Sequence, residues 1–183
     1  MTKENNNLNF DTYRIPENAV FLDLDKDIDQ KQSVINALKK VFEERKIDIN
    51  ISQARDFFKA TSKYFFNDFS VYIVSSGIMS DEVSLNLKIL SGKNSPQLVL
   101  LAHIDEENEF IWFRGILTNN DLSNLSNKKT TDHQLIIPTN EFKGGIDSLL
   151  TIIQFLDVKA LDNIKLPKKE LKEKTINFTD KIF

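Results

Sequence analysis

The chain has 183 residues, a formal net charge of −3 and no cysteine, so disulfides and thiolate metal centres are excluded. A hydrophobic fraction of 40% with 14 Phe can fill a substantial core, yet no apolar stretch approaches the roughly 20 residues a membrane-spanning helix needs. Five glycines give little material for a glycine-rich phosphate cradle, and the slight acidity argues against a dedicated nucleic-acid binder.

The length predicts one domain with tails. Residues 1–12 are polar and Asn-rich and are expected to form a flexible leader without the apolar core of a signal peptide. Residues 13–158 are expected to form a single α+β domain. Residues 159–183 form a Lys-rich tail with seven Lys against four acids, or +3, which leaves −6 on the rest of the chain.

In chain order, Ile15 precedes Pro16 and is biased toward an extended backbone. Ala19 to Leu24 reads as a strand with an acidic exit. Ser33 to Arg45 places Val34, Leu38, Val41 and Phe42 on one helical face, opposite Lys39, Lys40, Glu43 and Glu44. A second helix is expected from Ser52, with Ala54, Phe57, Phe58, Thr61, Tyr64 and Phe65 as its buried stripe and Asn67-Asp68 closing it. Phe69 to Val74 reads as a strand, and Ser75-Ser76-Gly77 as a break.

Val83 to Leu90 alternates, with Val83, Leu85, Leu87 and Ile89 on one side and Ser84, Asn86 and Lys88 on the other. Two apolar runs follow, Leu98 to Ile104 and Phe110 to Leu117, joined by the polar stretch Asp105 to Glu109. So short a connection predicts an antiparallel pair, because parallel strands need a longer crossover. Strict alternation would put Phe110, Trp112, Arg114 and Ile116 on one face and Ile111, Phe113, Gly115 and Leu117 on the other. Residues 83–117 are expected to form a three-stranded antiparallel meander. After a polar loop with a short helical turn near Asp121, Gln134 to Ile137 reads as a further strand stopped by Pro138. A helix from Ile146 to about Leu156 presents Ile146, Leu149, Leu150 and Ile153 inward. The expected fold is α+β: an antiparallel sheet centred on 83–117, packed against two N-terminal helices and one C-terminal helix.

No catalytic motif is complete. Asp23, Asp25 and Asp27 follow an apolar strand, as the nucleophile and partner acid do in haloacid-dehalogenase-like phosphatases. Asp27 and Ile28 nevertheless stand where small or hydroxyl residues belong. A calcium loop starting at Asp25 fails at Gln30 and Asn36, where Gly and Glu are needed. A solvated acidic loop is the simpler reading of these weak metal candidates.

Asn86-Leu87-Lys88 resembles the acid-x-Lys motif of restriction-endonuclease-like nucleases. There the acid holds a divalent metal and the Lys offsets charge at the scissile phosphate. Here Asn86 replaces the acid and is a poor Mg²⁺ ligand; Asp68 or Asp81 would have to serve as the upstream carboxylate. Two histidines without cysteine do not make a zinc site. His103 shares a strand face with Val99 and Leu101, which suits a core-edge histidine with a hydrogen-bonded tip. Trp112 and Arg114, two apart on one face, form a binding hot spot if that face is open. If it is covered, Trp112 is core and Arg114 snorkels.

Residues 97–158 resemble part of a cyanobacterial family of uncharacterised proteins. The shared blocks are LLAHIDEEN, FIWFRGILTNNDL and HQLIIPTNEFKGGIDSLLTIIQFLD, with Ile116 where the family tends to carry an aromatic after the Gly. The resemblance implies a bacterial, cytosolic setting and transfers no catalytic residues.

The expected function is therefore a non-catalytic protein-binding or adaptor role, cytoplasmic, without cofactor and without membrane attachment. The alternative is a metal-dependent nuclease or phosphodiesterase, intact or decayed, that would need Mg²⁺ and use Asp68, Asp81, Asn86 and Lys88. The Lys-rich tail offers cations to nucleic acid, but its four acids dilute them, and another protein is the favoured partner. Nothing in the patterning specifies an oligomeric state.

Overall fold

A computed structural model describes residues 14–22, 29–53, 63–90, 95–125, 129–131, 133–156 and 173–175. Arg14–Pro16 (β1) and Val20–Phe21 (β2) lead into Gln30–Arg45 (α1). Ile51–Gln53 (β3), Lys63–Phe66 (β4), Phe69–Gly77 (β5) and Glu82–Asn86 (β6) follow, then a single helical turn, Leu87–Leu90 (α2). Leu98–Asp105 (β7) and Phe110–Thr118 (β8) precede Asn119–Asn124 (α3), Lys129–Thr130 (β9) and Gln134–Pro138 (β10). Gly145–Phe155 (α4) and Glu173–Thr175 (β11) complete the set.

The largest element is a six-stranded sheet in the order β2-β8-β7-β5-β4-β3, antiparallel except for the parallel pair β5 and β7. One face carries Val71, Ile73, Leu98, Leu100, Ala102, Ile111, Phe113 and Ile116. They form one core with Val34, Leu38, Val41 and Phe42 of α1 and Ile146, Leu149, Leu150 and Ile153 of α4. The opposite face carries Val74, Val99, Leu101 and Leu117. These pack with Val83 and Leu85 of β6, Leu135 and Ile137 of β10, Leu122 of α3, and Phe142. A three-stranded sheet, β6-β10-β9, thus covers that second face. With both faces covered, every residue of β7 is buried, which explains its unbroken apolar run.

Several expectations hold. α1 buries the predicted stripe Val34, Leu38, Val41 and Phe42, and α4 the predicted Ile146, Leu149, Leu150 and Ile153. β7 and β8 form the predicted antiparallel hairpin, and β10 ends at Pro138. In β6, Val83 and Leu85 are buried while Ser84 and Asn86 are exposed, as alternation required, but the strand expected to run to Leu90 ends at Asn86 and Leu87–Leu90 form a helical turn.

The second N-terminal helix is not observed among the described residues. Ser52 lies in β3, and Tyr64 and Phe66 are buried while Lys63 and Phe65 are half-buried, the period-2 pattern of a strand. Residues 54–62, with Ala54, Phe57, Phe58 and Thr61, lie outside the described residues. Asn67-Asp68 closes a β4–β5 hairpin rather than a helix; Phe66 pairs with Phe69, and Asn67 takes a left-handed φ of 52°. The predicted meander is also replaced. β6 pairs with β10, and β7 takes β5 as its second neighbour. Asp105, expected in the solvated turn, is the last, buried residue of β7. Its Oδ1 accepts from the Glu107 and Asn108 N–H groups at 3.1 and 3.0 Å, and the Asn108 Nδ2 also donates to it, so the carboxylate is satisfied.

Strict alternation in β8 fails at one point. Leu101 faces Gly115 and Ala102 faces Phe113, so Arg114 is an extra residue in a β-bulge. The bulge moves Ile116 to the side of Ile111 and Phe113, and sends Leu117 to the opposite side. Beyond it, Lys143 bridges the edge of β8: the Ile116 N–H donates to Lys143 O at 2.8 Å and the Lys143 N–H donates to Ile116 O at 3.1 Å.

Candidate functional site

The bulge shapes the most distinctive polar–aromatic cluster among the described residues. Ser76 of β5, His103 of β7 and Trp112 of β8 occupy one row across three neighbouring strands. This row lies on the same face as Val99 and Leu101, at the end of the sheet nearest the β7–β8 turn. The Trp112 indole stacks on the His103 ring, with centroids 5.4 Å apart and planes at 20°. Arg114 reaches over the same indole, its Cζ 5.5 Å from the ring centroid. Arg114 stays on this face, as alternation requires, whereas the bulge takes Ile116 off it.

His103 is 2% exposed and forms the floor of the cluster. Its Nδ1 lies 3.0 Å from both Ser76 Oγ and Gly77 O. A carbonyl can only accept, so Nδ1 carries the proton and Nε2 the lone pair. In that tautomer His103 Nδ1 cannot take a proton from Ser76, and the pair does not form an activated nucleophile through this contact. Burial lowers the His103 pKa, the Gly77 carbonyl raises it in part, and the Arg114 charge lowers it further. His103 is therefore neutral near pH 7, and a neutral imidazole is what the stack accommodates.

This has a measurable consequence. The depressed folded-state pKa means that the unfolded chain binds the proton more readily below the ordinary histidine value of about 6.5. The contribution of His103 to stability is complete above that value and is lost as pH falls from it toward the folded-state pKa. Trp112 is the only tryptophan, so its fluorescence reports on the stack directly. We expect the emission to change with an apparent midpoint below 6.5, and His103→Gln to abolish the transition. A midpoint at or above 6.5 would contradict the burial described.

Trp112 and Arg114, paired on sequence grounds, are thus brought together, both half-buried, at a core edge instead of in the core centre. Burial lowers the Arg114 pKa from its ordinary value, although a guanidinium stays charged at any physiological pH. The turn leaving β5 carries Met79, 88% exposed, and β2 sets Phe21, 50% exposed, against Phe110 at 5.8 Å. Alternation had identified the Trp112–Arg114 pair. It had no means of finding Ser76: Ser75-Ser76-Gly77 reads as a break, whereas β5 continues through Gly77 and its parallel pairing with β7 makes the contact with His103.

The residues of the nuclease alternative are not assembled. Asp68 lies in the turn before β5 and Asp81 in the turn after it, so a strand of about 25 Å separates them. Asn86 ends β6, and its Oδ1 accepts from the Lys88 N–H at 2.9 Å, a local capping contact for α2. Lys88 is exposed and makes no ion pair among the described residues. A cleft of about 470 Å³ beside Leu87 and Leu90 is lined by Ser95, Asn119 and Ser123, with no charged side chain among its described lining. Among the described residues no group of three acids or histidines is placed to hold a metal. Asp23, Asp25 and Asp27 lie outside the described residues. No described helix is long and apolar enough to cross a membrane. Compared with family models, with curated proteins and with solved structures, the chain matches none of them.

Proposed function

We propose that the protein is a non-catalytic binding or adaptor protein that meets another protein through the Trp112–Arg114 end of its sheet. The observation that carries this reading is the guanidinium held over an indole that is itself fixed on a buried imidazole. A stacked aromatic loses little freedom on binding, and the hot spots of protein interfaces are enriched in Trp, Tyr and Arg. Met79 adds a flexible apolar side chain that adapts to a partner's contours.

The test is affinity capture from lysate of the cells that make the protein, run in parallel with the wild type and with Arg114→Gln. A partner retained by the wild type and reduced about tenfold or more by the variant is the expected result. A partner held equally well by both would move the interface elsewhere. Mg²⁺-dependent cleavage of DNA or RNA by the purified chain, lost in Lys88→Ala, would replace this reading with the nuclease alternative.

A further inference from the structure

We infer that the Trp112–Arg114 surface recognises a protein segment of defined charge order. An acidic side chain meets Arg114, an apolar residue packs against the half-buried Trp112, and a basic residue lies toward the β7–β8 turn. This inference rests on the binding role proposed above and specifies the chemistry of the partner.

The first ground is the state of Arg114. It is half-buried, and among the described residues no carboxylate or carbonyl accepts from its guanidinium; its described contact is the face of Trp112. Five N–H donors in a rigid fork, partly withdrawn from water, retain a demand for acceptors. A carboxylate meets that demand with two parallel hydrogen bonds. His103 supplies no second cation, because burial and the neighbouring Arg114 hold it neutral and its Nδ1 proton is committed to Gly77 O. Among the described residues the site therefore offers one positive charge.

The second ground is the order of charges along β8. Phe110, Trp112 and Arg114 follow one another away from the turn, and the turn itself exposes Glu106, Glu107 and Glu109. Glu109 and Arg114 are separated by about 15 Å of strand, beyond the screening length of about 8 Å at physiological salt. The turn carboxylates thus leave the field at Arg114 largely intact, yet repel a second negative charge carried past Trp112. A polyanion such as nucleic acid would set one phosphate on Arg114 and others against three carboxylates. A segment with one acid, an apolar residue and then a base matches the surface at each step.

The experiment is selection of displayed random peptides on the full chain, followed by titration of purified hits with Trp112 fluorescence as the readout. Parallel selections use Arg114→Gln and Trp112→Leu, with far-UV circular dichroism and thermal melting to establish that each variant is folded. We expect wild-type hits to share an acid on one side of an apolar residue and a base on the other. Changing that acid to its amide should weaken binding about tenfold to the wild type and leave binding to Arg114→Gln unchanged. Reversing the order of charges in the peptide should weaken binding by a similar factor. Hits that depend on Trp112 but show no acid preference would overturn the charge order and leave the binding role standing. If no hit depends on Trp112, both fall.

Discussion

Gly115→Ala is expected to destabilise the protein by about 3 kcal/mol, the upper end for overpacking a well-packed site. A Cβ at this position would lie 2.6 Å from both the N and the O of Lys143 and 2.9 Å from its carbonyl carbon. These are backbone atoms, held by two hydrogen bonds to Ile116, and cannot swing aside as a side-chain tip would. Relief requires moving the Phe142–Lys143 segment, and with it Phe142, which is 1% exposed in the second core. Urea unfolding of the variant should show a midpoint shifted to lower denaturant with an unchanged slope. A loss below about 0.5 kcal/mol, the range of an ordinary surface substitution, would mean that the Lys143 bridge is not built as described. Because Gly115 directly follows Arg114, which lies over Trp112, the variant should also alter the Trp112 emission.

Leu100→Ala and Leu101→Ala should each cost about 2–5 kcal/mol, the range for deleting a buried leucine side chain. They are neighbours on β7 and point to opposite faces, Leu100 into the helix-covered core and Leu101 into the core under the small sheet. Both are fully buried. In a half-exposed strand the two substitutions would differ sharply. β6 supplies that contrast: Leu85→Ala should be costly, while Ser84→Ala should stay within about 0.5 kcal/mol because Ser84 is exposed. If only one of the two β7 substitutions proved costly, one face of the large sheet would have to be open. The comparison uses chemical denaturation on four variants and requires no knowledge of function.

The particular residues show what was legible in the chain and what was not. α1 was legible because four apolar residues recur at helical spacing opposite four charged ones, a signal that needs no partner to interpret. The β7–β8 hairpin was legible because its connection is too short for a parallel crossover. The stretch around Tyr64 and Phe65 was misread because a dense run of aromatics fits both periods. Four residues of alternation in β4 cannot be told from part of a helical stripe without the neighbouring strands. The acidic turn was read correctly as polar but one residue too long. Asp105 is buried because the turn's own N–H groups satisfy it, a geometry that composition does not reveal. Of the candidate site, Trp112 and Arg114 were legible from their spacing. The fixed tautomer of His103, its contact with Ser76 and the exposure of Met79 were not.

The sequence by itself determined the β7–β8 hairpin, from its short connection, and the local elements with strong periodicity: α1, α4, β6 and β10. Their apolar residues repeat at intervals that only one backbone geometry can bury. It also determined that the chain is mixed α+β and cannot use cysteine chemistry. Beyond the β7–β8 hairpin, only the tertiary structure decided which strands are neighbours. Hydrogen bonds between strands are made by backbone groups common to all residues, so side-chain pattern constrains the face a residue takes far more than the strand beside it. That is why β6 pairs with β10 and β7 with β5, against the expected meander. Nor does side-chain pattern reveal the single extra residue in β8, which turns Ile116 away from the face of Trp112 and Arg114 and into the helix-covered core.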